Sequence, residues 1–276
     1  MRHIGATLLA ALLTLAPGPA GAAMSAPVEI TCPVGGERFT FTDTPSYSTW
    51  GTRPDGKPFG SWDFPLPIPE CPGNGLVLYK DFSPAEIKRL RQIADQPGYR
   101  ALRGETTYYR AAWLTRELEG GGLEAAWRLL QASWQADGAP ERKARYQREF
   151  VEAAAALPAA PDSLDWLALQ GRAANALREL GEFDRAARLL AGLPPRPLDR
   201  PGADTAGWRA YFDKLAAAVA RRDARPAPPD MVPAAEAALL CLQAAERPGS
   251  PRDPHCATAE VQGEILRLRA AAGLEP

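Results

Sequence analysis

Histidine is almost missing from this chain, with only His3 and His255 among 276 residues. Any Ser-His-Asp or Cys-His device would have to be built on His255, which sits in the turn-like Pro254-His255-Cys256 with no oriented partner in view. Lysine is scarce too: five of the 32 basic residues are lysines (Lys57, Lys80, Lys88, Lys143, Lys214), a bias that fits GC-rich bacterial codon usage. The basic residues face 33 acidic ones, for a net charge of −1. That balance lacks the positive excess that nucleic acid or an anionic membrane demands of a main partner. A Gly-rich phosphate loop is also missing, since Gly120-Gly121-Gly122 follows a helical pattern and lacks the lysine and serine such loops use. No apolar run reaches the ~20 residues needed to span a bilayer. Carboxylate pairs such as Glu117 with Glu119 and Glu179 with Glu182 stand among arginines and read as solvated helix faces.

What is present begins with Arg2 and His3, an apolar run over residues 4–16, and the small residues Ala20-Gly21-Ala22-Ala23. This is the order of a secretory signal, expected to cover residues 1–22 with Ala20-x-Ala22 as its cleavage site. Its removal leaves 32 − 1 = 31 basic against 33 acidic residues. The expected product is periplasmic or secreted, bacterial, and not inserted in the membrane. Four cysteines, Cys32, Cys71, Cys241 and Cys256, accompany it into an oxidising compartment, where an even number implies two disulfides and four allow three pairings.

Cys32-Pro33-Val34-Gly35-Gly36 and Cys71-Pro72-Gly73-Asn74-Gly75 resemble two zinc knuckles, each a tight Cys-Pro-x-Cys-Gly turn, with Gly35 and Asn74 where the second cysteines belong. One thiol per knuckle remains. A facing pair in an exported chain is read as a disulfide, so no metal and no cofactor are expected. That reading joins Cys32 to Cys71 and leaves Cys241 to close a terminal hairpin with Cys256. Short alternating segments, Val28-Glu29-Ile30, Arg38-Phe39-Thr40-Phe41-Thr42 and Leu76-Val77-Leu78-Tyr79, predict a small sheet around the knuckles. Residues 51–69, with Pro54, Pro58, Pro65, Pro67 and Pro69, predict an irregular loop. Its aromatics Phe59, Trp62 and Phe64 either cover the sheet and first helix or form an exposed recognition loop; Trp62 is the partner-contact candidate.

The order of Cys-Pro-x-x-Gly, aromatic loop, second Cys-Pro-x-x-Gly, then Tyr79-Lys80-Asp81-Phe82-Ser83 and a helical tail resembles an uncharacterised bacterial family, the domain of unknown function numbered twenty-two twenty-five. The resemblance covers residues 31 to about 190 and implies a zinc-ribbon-like head on tetratricopeptide-like helices. It implies no activity, and the replaced ligands keep zinc binding from carrying over.

Ser83-Pro84-Ala85-Glu86 predicts a helix start with a capping box, followed by Ile87, Leu90, Ile93 and Ala94 on one face. Two helical hairpins follow. The first carries Tyr109, Ala112 and Trp113, breaks at Gly120-Gly121-Gly122, and returns with Leu123, Ala126, Trp127, Leu130 and Trp134. The second is capped by Asp162, carries Trp166, Leu169, Ala173 and Leu177, turns at Gly181 and returns with Phe183, Ala186, Ala187 and Leu190. Gly181-x-Phe183-x-x-Ala186 resembles a tetratricopeptide turn, with Ala126 and Ala186 equivalent; a plain helical bundle is the alternative. Past a proline-rich joint (Pro194, Pro195, Pro197, Pro201), a helix with Trp208, Phe212, Leu215 and Val219 is expected. A last pair bears Ala235, Leu239 and Leu242 against Val261, Ile265, Leu268 and Ala272.

The expected fold is therefore mainly α, tetratricopeptide-like helical hairpins with a small N-terminal β module closed by a disulfide. Its parts are a signal at 1–22, a zinc-ribbon-like module at 27–82, helical hairpins at 83–193 and C-terminal helices at 204–276. On the repeat alignment, Asn175 and Arg178 face a concave groove with Tyr108 and Thr115 in like places, and an amide and a guanidinium there could grip a peptide backbone or carboxylate. The function read from this is a non-enzymatic exported binding or scaffold protein holding a protein or peptide of the cell envelope. A cell-envelope enzyme, for example a carbohydrate hydrolase, is the alternative; a close, buried carboxylate pair in a pocket would favour it.

Overall fold

The structure, a computed structural model, describes residues 24–195, 198–199, 205–247 and 253–273. The expected signal, Pro197, Pro201 and residues 248–251 lie outside the described residues. Among the described residues the chain is mainly helical, with a small N-terminal β module of two sheets and two disulfides. No described helix is long and apolar enough to cross a membrane.

Strands β1 (Met24–Thr31) and β2 (Arg38–Ser46) pair antiparallel from Thr31↔Arg38 to Met24↔Ser46, with the first knuckle as their connection. Around the second knuckle there is only a single bridge, Glu70↔Val77. The expectation of an irregular 51–69 loop is corrected in its first half. There β3 (Thr49–Thr52) pairs with β4 (Pro58–Gly60) in a second hairpin. Arg53-Pro54-Asp55-Gly56 is a turn closed by Gly56 N–H donating to Arg53 O at 2.9 Å, with Lys57 N–H donating to Asp55 Oδ1 at 3.0 Å. Proline presets φ at the first central position of such a turn, and Pro58 opens its strand, where proline is tolerated.

Helix α1 (Pro84–Ala94) begins with the expected reciprocal cap: Ser83 Oγ accepts from Glu86 N–H, and Glu86 Oε2 accepts from Ser83 N–H at 2.8 Å. A short helix α2 (Pro97–Arg100) leads into α3 (Thr107–Glu119), α4 (Leu123–Gln135), α5 (Pro140–Ala155), α6 (Leu164–Glu179), α7 (Phe183–Ala191) and α8 (Thr205–Ala220). From α3 to α8 each helix packs on the next, and α4 also meets α6 while α6 meets α8. The α6 cap is Ser163, whose Oγ accepts from Trp166 N–H at 3.2 Å, one residue past the expected Asp162. Leu129, Leu130, Tyr146, Phe150, Leu169, Leu177 and Leu215 are wholly buried and form the main core.

The C-terminal pair is α9 (Ala234–Ala245) and α10 (Ala259–Ala271), joined by Cys241–Cys256. Its buried face is Ala237, Ala238 and Cys241 against Val261 and Ile265. Leu239, expected in that contact, is 40% exposed. The disulfide fixes which face of α9 turns inward, and Leu239 lies off it.

Candidate functional site

The two knuckles share one backbone pattern. Cys32 N–H donates to Glu37 O and Gly36 N–H to Cys32 O, both at 2.9 Å; Cys71 N–H donates to Leu76 O and Gly75 N–H to Cys71 O, also at 2.9 Å. Gly36 and Gly75 close these turns at φ +76° and +71°, where a side chain would be strained. The expected Cys32–Cys71 bond joins the turns at a Cα separation of 5.6 Å. Asn74, at a missing ligand position, points Nδ2 toward Cys32 Sγ at 3.8 Å and accepts from Leu76 N–H through Oδ1 at 2.9 Å. At the other missing position, a Cβ on Gly35 would overlap the Glu37 carboxylate, which also accepts from Gly73 N–H at 3.2 Å. Glu37 thus occupies the space that a side chain at position 35 would take, and its oxygen lies within 4.8 Å of both sulfurs. Bridged sulfurs are not thiolates, so this trio does not offer zinc its usual donors.

A second centre lies where the Arg53–Lys57 turn enters the helical body. Pro54 and Asp55 are buried there. The Pro54 carbonyl accepts from Arg172 Nη1 at 2.5 Å on α6 and from the Tyr211 hydroxyl at 3.0 Å on α8. Arg53 pairs with Asp55 and, at 2.8 Å, with Asp137; Lys57 and Lys143 reach Asp137 at 3.0 and 2.9 Å. Burial opposes the Asp137 charge, but Arg53 and Lys143 outweigh it and hold the carboxyl down at about 2. Burial likewise works against Arg53, and Asp55 and Asp137 raise its pKa above the ordinary value. Deeper in, Glu179 accepts from Gln147 Nε2 at 2.8 Å and Asn175 Nδ2 at 2.9 Å, with Lys143 at 3.3 Å. Burial, then the neighbouring Asp55, pushes the Glu179 carboxyl up.

Asn175 and Arg178 belong to this buried seam, which corrects their expected place on an open groove. Both are 0% exposed. Asn175 Oδ1 accepts from Arg178 Nε and Nη2 at 3.0 and 2.9 Å, and Arg178 Nη1 donates to Asp223 O and Arg225 O at 2.6 and 2.8 Å. Helix α8 and the segment after it cover the face of α6 that a two-hairpin alignment leaves open. Thr115 is likewise corrected: it is buried on α3 and donates to its own helix at Ala111 O, 2.9 Å. Tyr108 is half-buried and its hydroxyl donates to Leu66 O at 3.0 Å, tying the aromatic loop to α3.

Trp62, the remaining candidate, lines a cleft of about 750 Å³ with Trp50, Lys57, Phe59, Asp63 and Glu236. Trp50 sits in the irregularity of the β3–β4 register between Thr49 and Gly51, and such bulges re-aim a side chain. It is 52% exposed, and its indole N–H donates to Glu236 Oε1 at 2.9 Å across to the start of α9. Gly51 permits this approach, since a Cβ there would overlap the Pro233 ring. Phe64, by contrast, is buried edge-on against Tyr47 at 5.2 Å and serves packing. Lys57 Nζ meets Asp63 at 2.9 Å on the cleft wall. Sequence reasoning missed Trp50 and Glu236, which stand 186 residues apart. The Pro54-Asp55-Gly56 turn signal could have revealed the hairpin, but nothing local to Glu236 marks its partner.

No family model matches the chain, and no curated protein or solved structure shows significant similarity to it.

Proposed function

We propose that this chain is an exported, non-enzymatic binding or scaffold protein, in which a disulfide-closed relic of a zinc ribbon sits on a tetratricopeptide-like body and the ligand lies in the Trp50–Trp62 cleft. The observation that carries this reading is Trp50 itself. A large apolar ring, half in solvent, is locked by a hydrogen bond to Glu236 instead of being folded onto the surface. An exposed aromatic ring held in place beside other aromatic side chains is what a binding surface presents.

The repeated knuckle backbone supports the zinc-ribbon kinship, and with it the resemblance to the uncharacterised family. The helical-repeat reading draws support from the serial packing of neighbours, each helix from α3 to α8 lying on the next. Two disulfides fit an oxidising compartment and so support export. The carboxylates favour holding over turnover: Glu236 is engaged by the Trp50 indole and Asp63 by Lys57, while Asp55 and Glu179 are buried behind the hairpin. The helical groove expected to grip a peptide is occupied by the chain itself, the segment after α8 meeting Arg178 and the 53–57 turn meeting Arg172 and Tyr211, which favours the hairpin over the helices as the ligand surface.

The test is to immobilise the mature protein, pass cell-envelope extract over it, and identify protein and glycan in what is retained. Wild type is expected to retain material that Trp50→Ala and Trp62→Ala variants release, recovered with unchanged mass. Equal retention by the variants, or recovery of cleaved material, would overturn the proposal.

A further inference from the structure

Resting on the cleft reading above, we infer that the Trp50–Trp62 cleft takes a neutral oligosaccharide, the pyranose C–H faces lying on the indoles and the hydroxyls meeting the charged rim. A pyranose ring is itself two-sided, with an apolar face of C–H bonds and an equator of hydroxyls that both donate and accept. The cleft mirrors it. Trp50, Phe59 and Trp62 supply flat apolar surface, and Lys57, Asp63 and Glu236 surround them. Its volume is about 750 Å³, and it is broadly open to solvent.

Three features select this class. The indole N–H of Trp50 is spent on Glu236, so Trp50 offers a ligand its face and not a donor. A C–H face asks for no donor from the ring it lies on. The rim, secondly, has unused capacity of both kinds: an ammonium carries three donors, of which Lys57 uses two, on Asp63 and Asp137. Glu236 uses one carboxylate oxygen on Trp50, and Asp63 is 92% exposed. Hydroxyls, which donate and accept, match such a mixture. Charge, thirdly, is cancelled locally. Among the cleft's lining residues Arg53 and Lys57 stand against Asp63 and Glu236, so the wall presents no excess of one sign to draw an ionic ligand.

Titration calorimetry on the mature protein tests this, with tetra-N-acetylchitotetraose and cellotetraose as probes and a proline-rich decapeptide for comparison. Saturable saccharide binding is expected, weakened ~tenfold or more in Trp50→Ala and in Trp62→Ala, with melting temperatures retained. Affinity should change little between low and high salt, because screening acts on charged pairs. Glu236→Gln keeps an oxygen to accept from the Trp50 indole and removes the charge; less than about a threefold change is expected for a neutral ligand. Failure of both saccharides to bind, while retention of envelope material still depends on Trp50, overturns this inference and leaves the binding function standing. Trp50-dependent binding of the decapeptide in place of the saccharides does the same. If no probe and no envelope material depends on Trp50, both readings fall.

Discussion

In the knuckle half of the head, Cys32, Cys71, Leu76 and Val77 form one apolar cluster with Leu90 and Ile93 of α1, Tyr99 of α2 and Ala111 and Leu114 of α3. In the hairpin half, Arg53, Asp55 and Lys57 meet Asp137, Lys143, Arg172 and Tyr211 through ion pairs and hydrogen bonds. Two neighbouring pieces of one small module thus attach to different helices, the knuckles to α1, α2 and α3 and the hairpin to α5, α6, α8 and the end of α4, by contrasting physics. The knuckles rest mainly on non-directional burial, closed by a covalent bond and steadied by Tyr99, whose hydroxyl donates to Gly75 O at 2.9 Å, and by Arg110 of α3, which donates to the same carbonyl at 2.9 Å and pairs with Glu70. Directional contacts hold the hairpin, and they fix its register on the helices at the cost of desolvating charge. The difference accounts for the site: the apolar attachment holds the head in place, while the polar one orients the hairpin whose outer edge carries Trp50.

If the comparison is right, each half fails under a different stress. The largest effect should come from Cys32→Ser with Cys71→Ser. Their bond closes 39 residues of chain, worth ~4 kcal/mol in the chain-entropy model. Urea unfolding should show that loss, and an unchanged midpoint would mean that the knuckles hold without their staple. Cys241→Ser with Cys256→Ser should cost somewhat less, ~3 kcal/mol for a separation of 15, and hydrogen exchange should rise in α9 and α10 but not in the knuckles.

Within the hairpin half, Asp55→Ala removes a carboxylate from buried Arg53 and should cost ~2 kcal/mol, with amide exchange rising across 53–57 while the knuckle amides stay protected. Acid separates the halves further. Asp137 has its folded pKa depressed to about 2, against ~3.9 unfolded. Its stabilising contribution is therefore complete above ~4 and is lost as pH falls toward its folded value. Glu179, shifted upward, acts in the opposite sense, its penalty growing as pH rises through its folded pKa. Asp137→Asn should flatten the acid limb of stability measured by thermal melts from pH 5 to about 2; an unaltered limb would remove Asp137 from the seam's energetics. The smallest effect belongs to the junction between head and helices, where Ser83→Ala removes a cap worth ~1 kcal/mol, to be read from the denaturation midpoint.

Much of this architecture was legible locally. The Ser83/Glu86 capping box, the Gly120–Gly122 break, the Gly181 turn and the pairing of the four cysteines each depend on residues a few positions apart or on a chemistry with few solutions. Trp62 lies in the expected aromatic loop, half-buried and lining the cleft, while Phe64 of the same loop is buried in packing. Asn175 and Arg178 were misplaced because a helical period says which residues share a face, not what covers that face. An amide and a guanidinium suit an open groove or a buried hydrogen-bond network equally well.

Most helix starts and breaks and the two knuckle turns are readable along the chain, because short-range sterics and hydrogen-bond capacity act within a few residues; four cysteines allow three pairings, and the fold sets Cys32 on Cys71 and Cys241 on Cys256. Packing between distant elements decides that the 53–57 turn enters the helical body, that Glu37 occupies the space beside Gly35, and that Glu236 holds Trp50 from 186 positions away. Such contacts are set by how preformed elements pack and neutralise one another's charge across long stretches of chain, and no pattern along the sequence encodes that geometry locally.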